Sequence, residues 1–304
     1  MNAPLQGIIG PVVTTFQSGS GEIDRTGFVN NLRAHFGAGL HGVVVTGSTG
    51  EAPLLDERER GQIVEVAREV VTGEQLLIVG TGAESTRTCL RYTNLAAQRG
   101  ADAVLVVAPH YYGSGLMTTA ALRAHYLEVA DKSPIPVLLY NIPKYMHFAL
   151  SPQLVAELAR HENVVGIKDS SGDLELLAGY LKAQSETFSV LTGNGSSFKA
   201  AMEMGARGAV LAVSLFAPEL TRQVYSAITS GGAGNSGIAE RAQSHLTPLS
   251  ARIVGEYGIA GIKAALEQVG LTGGAVRPPL LPLGQSELAQ LIDLLRSAEL
   301  PLAA

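Results

Sequence analysis

The chain is poor in cysteine and in charge. Cys89 is its only cysteine, so no internal disulfide can form and nothing ties the fold to an oxidising compartment. Charged residues make up 16% of the 304 positions and sum to a formal charge of -5, which offers nucleic acid no basic field. No apolar stretch approaches the ~20 residues of a membrane-spanning helix. The opening Met-Asn-Ala-Pro-Leu-Gln lacks the basic and apolar regions of a secretory signal, so a cytoplasmic location is expected. The histidines show no metal-ligand spacing. His41, His125, His161 and His245 read as surface or cap residues, and no metal is expected.

What is present is apolar sequence in short, regular blocks. Hydrophobic residues reach 46%, the mark of a well-buried globular chain. Eight β-branched runs alternate with helical patterns: Ile8–Thr15, Gly42–Thr46, Leu76–Thr81, Ala103–Ala108, Val137–Tyr140, Val164–Lys168, Phe188–Thr192 and Gly208–Val213. Several lack any inside–outside alternation, Val104-Leu105-Val106-Val107 among them, as strands covered on both faces do. Asp56 with Glu59, Ser85, and Ser151-Pro152 are helix starts. Gly37-Ala38-Gly39, Gly100-Ala101 and Gly205-Ala206 are the returns to the next strand. Eight such units predict an α/β fold, a (β/α)8 TIM barrel, with an open doubly wound sheet as the alternative.

The strand signal ends near residue 225. The division is therefore a barrel over 1–225 and a C-terminal helical extension over 226–304, joined by the turn-rich bridge Ser230–Gly237. Helical patterns follow at Ile238–Glu256, which Pro248 kinks or splits, then at Ile259–Val269 and Gln285–Leu300. Arg277–Pro282 is a rigid connector that no helix can cross.

Polar residues interrupt the apolar runs at one end. Gly47-Ser48-Thr49-Gly50-Glu51 follows the second run and His110-Tyr111-Tyr112 the fourth; Tyr140-Asn141 closes the fifth, Lys168 the sixth, and Gly193-Asn194 follows the seventh. All lie at carboxyl ends, the face on which such barrels build active sites. Of six lysines, only Lys168 closes a buried strand; the others fall in helical patterns or beside prolines. A buried amine titrates below its ordinary ~10.4 and becomes nucleophilic, which suggests Schiff-base chemistry on a carbonyl. Tyr140, one strand over, can shuttle protons, and Ser48, Thr49 and their glycines offer donors to a carboxylate. Each also has a plainer reading. Lys168 can be a rim lysine paired with Asp169, Tyr140 a wall tyrosine, Gly-Ser-Thr-Gly a turn, Tyr111-Tyr112 packing aromatics at a subunit contact, and Glu51 an acceptor fixing its loop.

In this order and spacing, Gly47–Glu51, Tyr140-Asn141-Ile142-Pro143 and Gly166-Ile167-Lys168-Asp169-Ser170 resemble the dihydrodipicolinate synthase / N-acetylneuraminate lyase family. The resemblance runs from Gly10-Pro11-Val12-Val13-Thr14 to Arg277-Pro278-Pro279-Leu280. It implies a class I, pyruvate-handling lyase that uses a lysine imine in place of a cofactor. Lys168 would form the imine, Tyr140 shuttle the proton, and Ser48 relay it. Tyr111, with Tyr112 as rival, would reach across a dimer interface. Thr49, Gly50, Asn141, Ser170, Gly193 and Val210 would contact substrate. Homodimers or homotetramers are implied as well.

Where synthases of the family carry an arginine two positions past the proline, this chain has Tyr145, and a phenol does not replace a bidentate charged contact. Ser48 and the stretches Ser133–Tyr140 and Lys168–Asp173 look closest to 4-hydroxy-2-oxoglutarate aldolases, although Thr49 departs from the asparagine of that branch. The expected reaction is cleavage of 4-hydroxy-2-oxoglutarate to pyruvate and glyoxylate. The alternatives are condensation of pyruvate with aspartate semialdehyde and, in another class, a non-catalytic keto-acid-binding protein.

Overall fold

The computed structural model describes residues 4–73, 75–231 and 235–303. Residues 1–3 of the opening segment and 232–234 of the glycine-rich bridge lie outside the described residues. Each of the eight apolar runs forms a strand: β1 Gly7–Pro11, β2 Gly42–Val45, β3 Leu76–Gly80, β4 Ala103–Val107, β5 Val137–Asn141, β6 Val164–Asp169, β7 Ser189–Thr192 and β8 Gly208–Val210. All pair in parallel and in sequence order, and β1 closes on β8 through the register Gly7↔Gly208 to Ile9↔Val210. The result is a TIM barrel, and the open sheet is excluded. With helices outside and side chains inside, the strands are buried on both faces, which is why their sequences do not alternate.

Six strands are shorter than their apolar runs, and only β1 and β8 by more than one residue. β1 ends at Pro11, which can donate no bond toward β8, although the Val12 amide still donates to the Val44 carbonyl of β2 at 3.0 Å. β8 stops at Val210 because Ala212–Leu215 winds into a 3₁₀ turn.

The helices begin where their caps place them. The Asp56 side chain accepts from the Glu59 amide at 2.8 Å and Glu59 returns the bond to the Asp56 amide at 2.9 Å, a closed capping box opening the helix Glu57–Val70. Ser85 and Ser151 cap Thr86–Gln98 and Pro152–Leu158 through their hydroxyls. His125 is a correction: it is buried in the helix Thr119–Lys132, with Nδ1 2.9 Å from the Thr86 hydroxyl, because the helix turns that side of its surface toward its neighbour.

The helix after β8 runs Pro218–Thr229, and we place the start of the extension after it. Pro248 does not break the next helix but changes its winding: Ser236–Pro248 is α-helical and Leu249–Glu256 is π-helical. The helices Gly258–Gln268 and Gln285–Ser297 follow, and Arg277–Pro282 crosses between them without helix. Among the described residues no helix is long and apolar enough to cross a membrane.

Candidate functional site

Strand register builds the centre of the site. Tyr140 on β5 lies opposite Lys168 on β6, and both turn into the carboxyl mouth of the barrel. The Lys168 ammonium nitrogen stands 4.3 Å from the Tyr140 ring centroid. One residue further, Asn141 and Asp169 are also opposite each other, and the period-two geometry of a strand aims them away from the mouth. There Asn141 Nδ2 donates to Asp169 Oδ1 at 2.8 Å, and Asn141 Oδ1 accepts from the Leu150 amide at 2.9 Å. Asp169 is further occupied by the amide and hydroxyl of Ser171. Among the described residues Lys168 makes no ion pair, so it is not a rim lysine balanced by Asp169.

Burial sets the electrostatics of the pair. Lys168 is 5% exposed, and loss of water around its amine pushes its pKa down to about 7. Burial pushes the Tyr140 phenol up to about 12, with the Ser170 and Ser48 hydroxyls pulling it partly back and the Asp169 charge adding to the rise. Near neutral pH the site therefore holds an amine that is often neutral and a phenol that keeps its proton. A nucleophile and a proton donor stand side by side.

The cavity they share has a volume of about 190 Å³, below the roughly 300 Å³ at which drug-sized pockets begin, and it suits a small metabolite. Ser48, Thr49, Ser170, Gly193 and Val210 line it with Tyr140 and Lys168, and among the described residues no aspartate or glutamate does. Gly193 is held to glycine by contact: a β-carbon there would meet the Ser170 hydroxyl and Lys168 Cε.

Among the described residues that line the cavity, three expected site residues are absent. Asn141 faces away, as strand alternation requires. Gly50 is buried behind the mouth, its carbonyl accepting from the Thr14 hydroxyl at 2.7 Å and its amide bonded to the Gly47 carbonyl at 3.0 Å. Tyr111 is 79% exposed on the outward loop after β4, edge-on to Tyr112, with its amide and that of His110 held by Glu84 Oε2 at 2.9 Å. Within one chain it does not reach the mouth.

Sequence reasoning also missed one wall. Ser250, Ala251, Val254 and Gly255 of the π-helical stretch, with Ile259 and Ile262 of the following helix, close the cavity from the extension. No local signal marks them, because the contact joins segments remote in sequence. Lys144 and Tyr145 stand on the same side, and Lys144 Nζ donates to the Gly255 carbonyl at 2.6 Å.

The loop bearing Ser48 and Thr49 is under backbone strain. Thr46 (φ 49°) and Glu51 (φ 58°) both adopt left-handed conformations, and for a β-branched threonine this is a costly exception. Glu51 is buried and accepts the Arg277 amide at 2.8 Å, so it is an acceptor fixing its loop. Its other oxygen lies 2.6 Å from Lys263 Nζ, a buried pair that the helical context of Lys263 did not disclose.

The sequence profile of the dihydrodipicolinate synthetase family matches residues 4–298. A 4-hydroxy-tetrahydrodipicolinate synthase of Thermodesulfovibrio yellowstonii is 32% identical over 289 residues, 95% of this chain and 97% of its own length. Among solved structures, dihydrodipicolinate synthase from Aquifex aeolicus superposes with a TM-score of 0.91 at 28% identity, over 99% of this chain and all of the other (100%). A prophage protein of the dihydrodipicolinic acid synthase family from E. coli K12, solved in complex with pyruvate, gives a TM-score of 0.90 at 29% identity, over 98% of this chain and 99% of the other.

Proposed function

Because the chain belongs to the dihydrodipicolinate synthetase family, a family of class I pyruvate-dependent aldolases, we propose that Lys168 captures the 2-oxo acid as an imine. The observation that supports this reading is the buried Lys168 amine, pushed down to about pKa 7, against the Tyr140 ring at 4.3 Å. The neutral amine adds to the ketone carbon. Tyr140 gives a proton to the departing hydroxyl, water leaves, and an iminium remains. Loss of a proton from the neighbouring carbon gives an enamine, and that carbon then bonds to an aldehyde, or in reverse releases one. Ser48 relays the Tyr140 proton, and Thr49 with the backbone around it holds the acid's carboxylate. Tyr111 would enter only from a neighbouring copy, in a homodimer or homotetramer.

For the second substrate, the names of the relatives favour condensation of pyruvate with aspartate semialdehyde, as 4-hydroxy-tetrahydrodipicolinate synthase, over the cleavage of 4-hydroxy-2-oxoglutarate expected from local motifs. We adopt the synthase as the first reading. One observation supports the second: Tyr145, not an arginine, lines the mouth. Rates measured side by side decide. Faster consumption of pyruvate with aspartate semialdehyde supports the synthase, and faster pyruvate release from 4-hydroxy-2-oxoglutarate overturns it.

A further inference from the structure

The pair Glu51–Lys263 lies where two walls of the cavity are joined. Glu51 is two residues beyond Thr49, in the strained loop that carries the hydroxyl donors. Lys263 immediately follows Ile262, which lines the cavity from the extension. Both side chains are shut off from water, at 0% and 2% exposure, and their charges meet at 2.6 Å. Each is also held from behind. Lys263 Nζ donates to the Ala275 carbonyl at 2.6 Å and sits 4.6 Å from the Phe16 ring centroid. Glu51 accepts the Arg277 amide, and the Arg277 guanidinium grips both Glu59 oxygens at 2.6 and 2.7 Å while lying 4.1 Å over the same Phe16 ring.

A buried ion pair is weak evidence for stability, because apolar groups of similar volume often replace one at no cost. What such a pair does supply is a fixed register between the segments it joins. Here those segments are the loop of Ser48 and Thr49 and the helix of Ile259 and Ile262. We propose that Glu51 and Lys263 are positioning residues, which hold the carboxylate-binding loop in its left-handed turn against the wall built by the extension, so that the mouth is complete only when the extension is docked. The proposal rests on the imine reading given above, and names what keeps its acid-binding side in place.

The test is the double variant Glu51→Gln with Lys263→Met, which removes both charges and leaves neither buried alone. The expected result is a protein that melts close to wild type, with the KM for pyruvate raised about tenfold or more and kcat lowered less. A stable double variant with wild-type KM overturns the proposal. Should that protein fail to fold, Glu51→Asp decides, since it keeps the charge and withdraws the carboxylate by one methylene. A raised KM in that variant supports the proposal and an unchanged one overturns it. Borohydride trapping of pyruvate on wild-type Lys168 is run beside these assays. Intact trapping with an unmoved KM removes the positioning pair alone, and absent trapping removes the imine reading with it.

Discussion

The chemistry proposed for this chain depends on the charge of one side chain. Lys168 must be neutral to attack a ketone, and with a pKa of about 7 the neutral fraction grows as pH rises through that value. Imine formation at low pyruvate is therefore expected to climb between pH 6 and 8 and then level. A stopped-flow rate profile checks this, and a rate still climbing beyond pH 9 would place the amine near its ordinary value. The same burial weakens the fold. The folded pKa lies below the unfolded 10.5, so the cost of burying the charge is absent above about 10.5 and complete below about 7. Lys168→Met is accordingly expected to abolish imine formation yet raise stability at pH 7 by about 3–5 kcal/mol, read by urea unfolding. Tyr140→Phe keeps the ring and removes the proton, and should lower turnover by about 10²–10⁴ with the fold unchanged. Lys168 and Tyr140 were legible in the sequence because each is a polar group ending an apolar strand. Lys263 was not: a helical lysine declares its burial only through a partner far along the chain.

At the scale of elements, strands and helices were read from apolar blocks and caps, and their ends were set by residues that stop a ladder. Pro11 ends β1 on the side facing β8, where it has no N–H to donate, and the 3₁₀ turn at Ala212–Leu215 truncates β8. Orientation within a helix was harder to read. His35 and His125 lie in helices over Arg25–Gly37 and Thr119–Lys132, and among the described residues each is buried with an unbonded Nε2. Burial pushes both down to about 4 from 6.5. An unfolded chain takes up these protons first, so the stability they permit is full above about 6.5 and is lost as pH falls toward 4. Each should cost about 3 kcal/mol over that window. In urea titrations at pH 7.5 and pH 4.5, His35→Leu should lose less stability than wild type between the two; an equal loss would show that His35 does not titrate in this way.

For the molecule as a whole, the sequence disclosed the barrel but not how the extension completes it. Eight alternations specify closure, whereas contacts such as Ile262 at the mouth arise only after the chain has turned back on itself. The outward patch of Tyr111, Tyr112 and Leu116, at 79%, 64% and 64% exposure, is the surface on which a second copy would sit under the assembly proposed above. Leu116→Asp is expected to shift sedimentation toward a smaller species. A species of unchanged size would remove this patch from the interface.

The central claim is that the amine of Lys168 bonds covalently to a 2-oxo acid. Incubation with pyruvate and borohydride, followed by peptide mapping, tests it directly. The account predicts one N-carboxyethyl group per chain, on the peptide containing Lys168 and lost in Lys168→Met. A folded protein that gains no adduct, or gains it on another lysine, would contradict it.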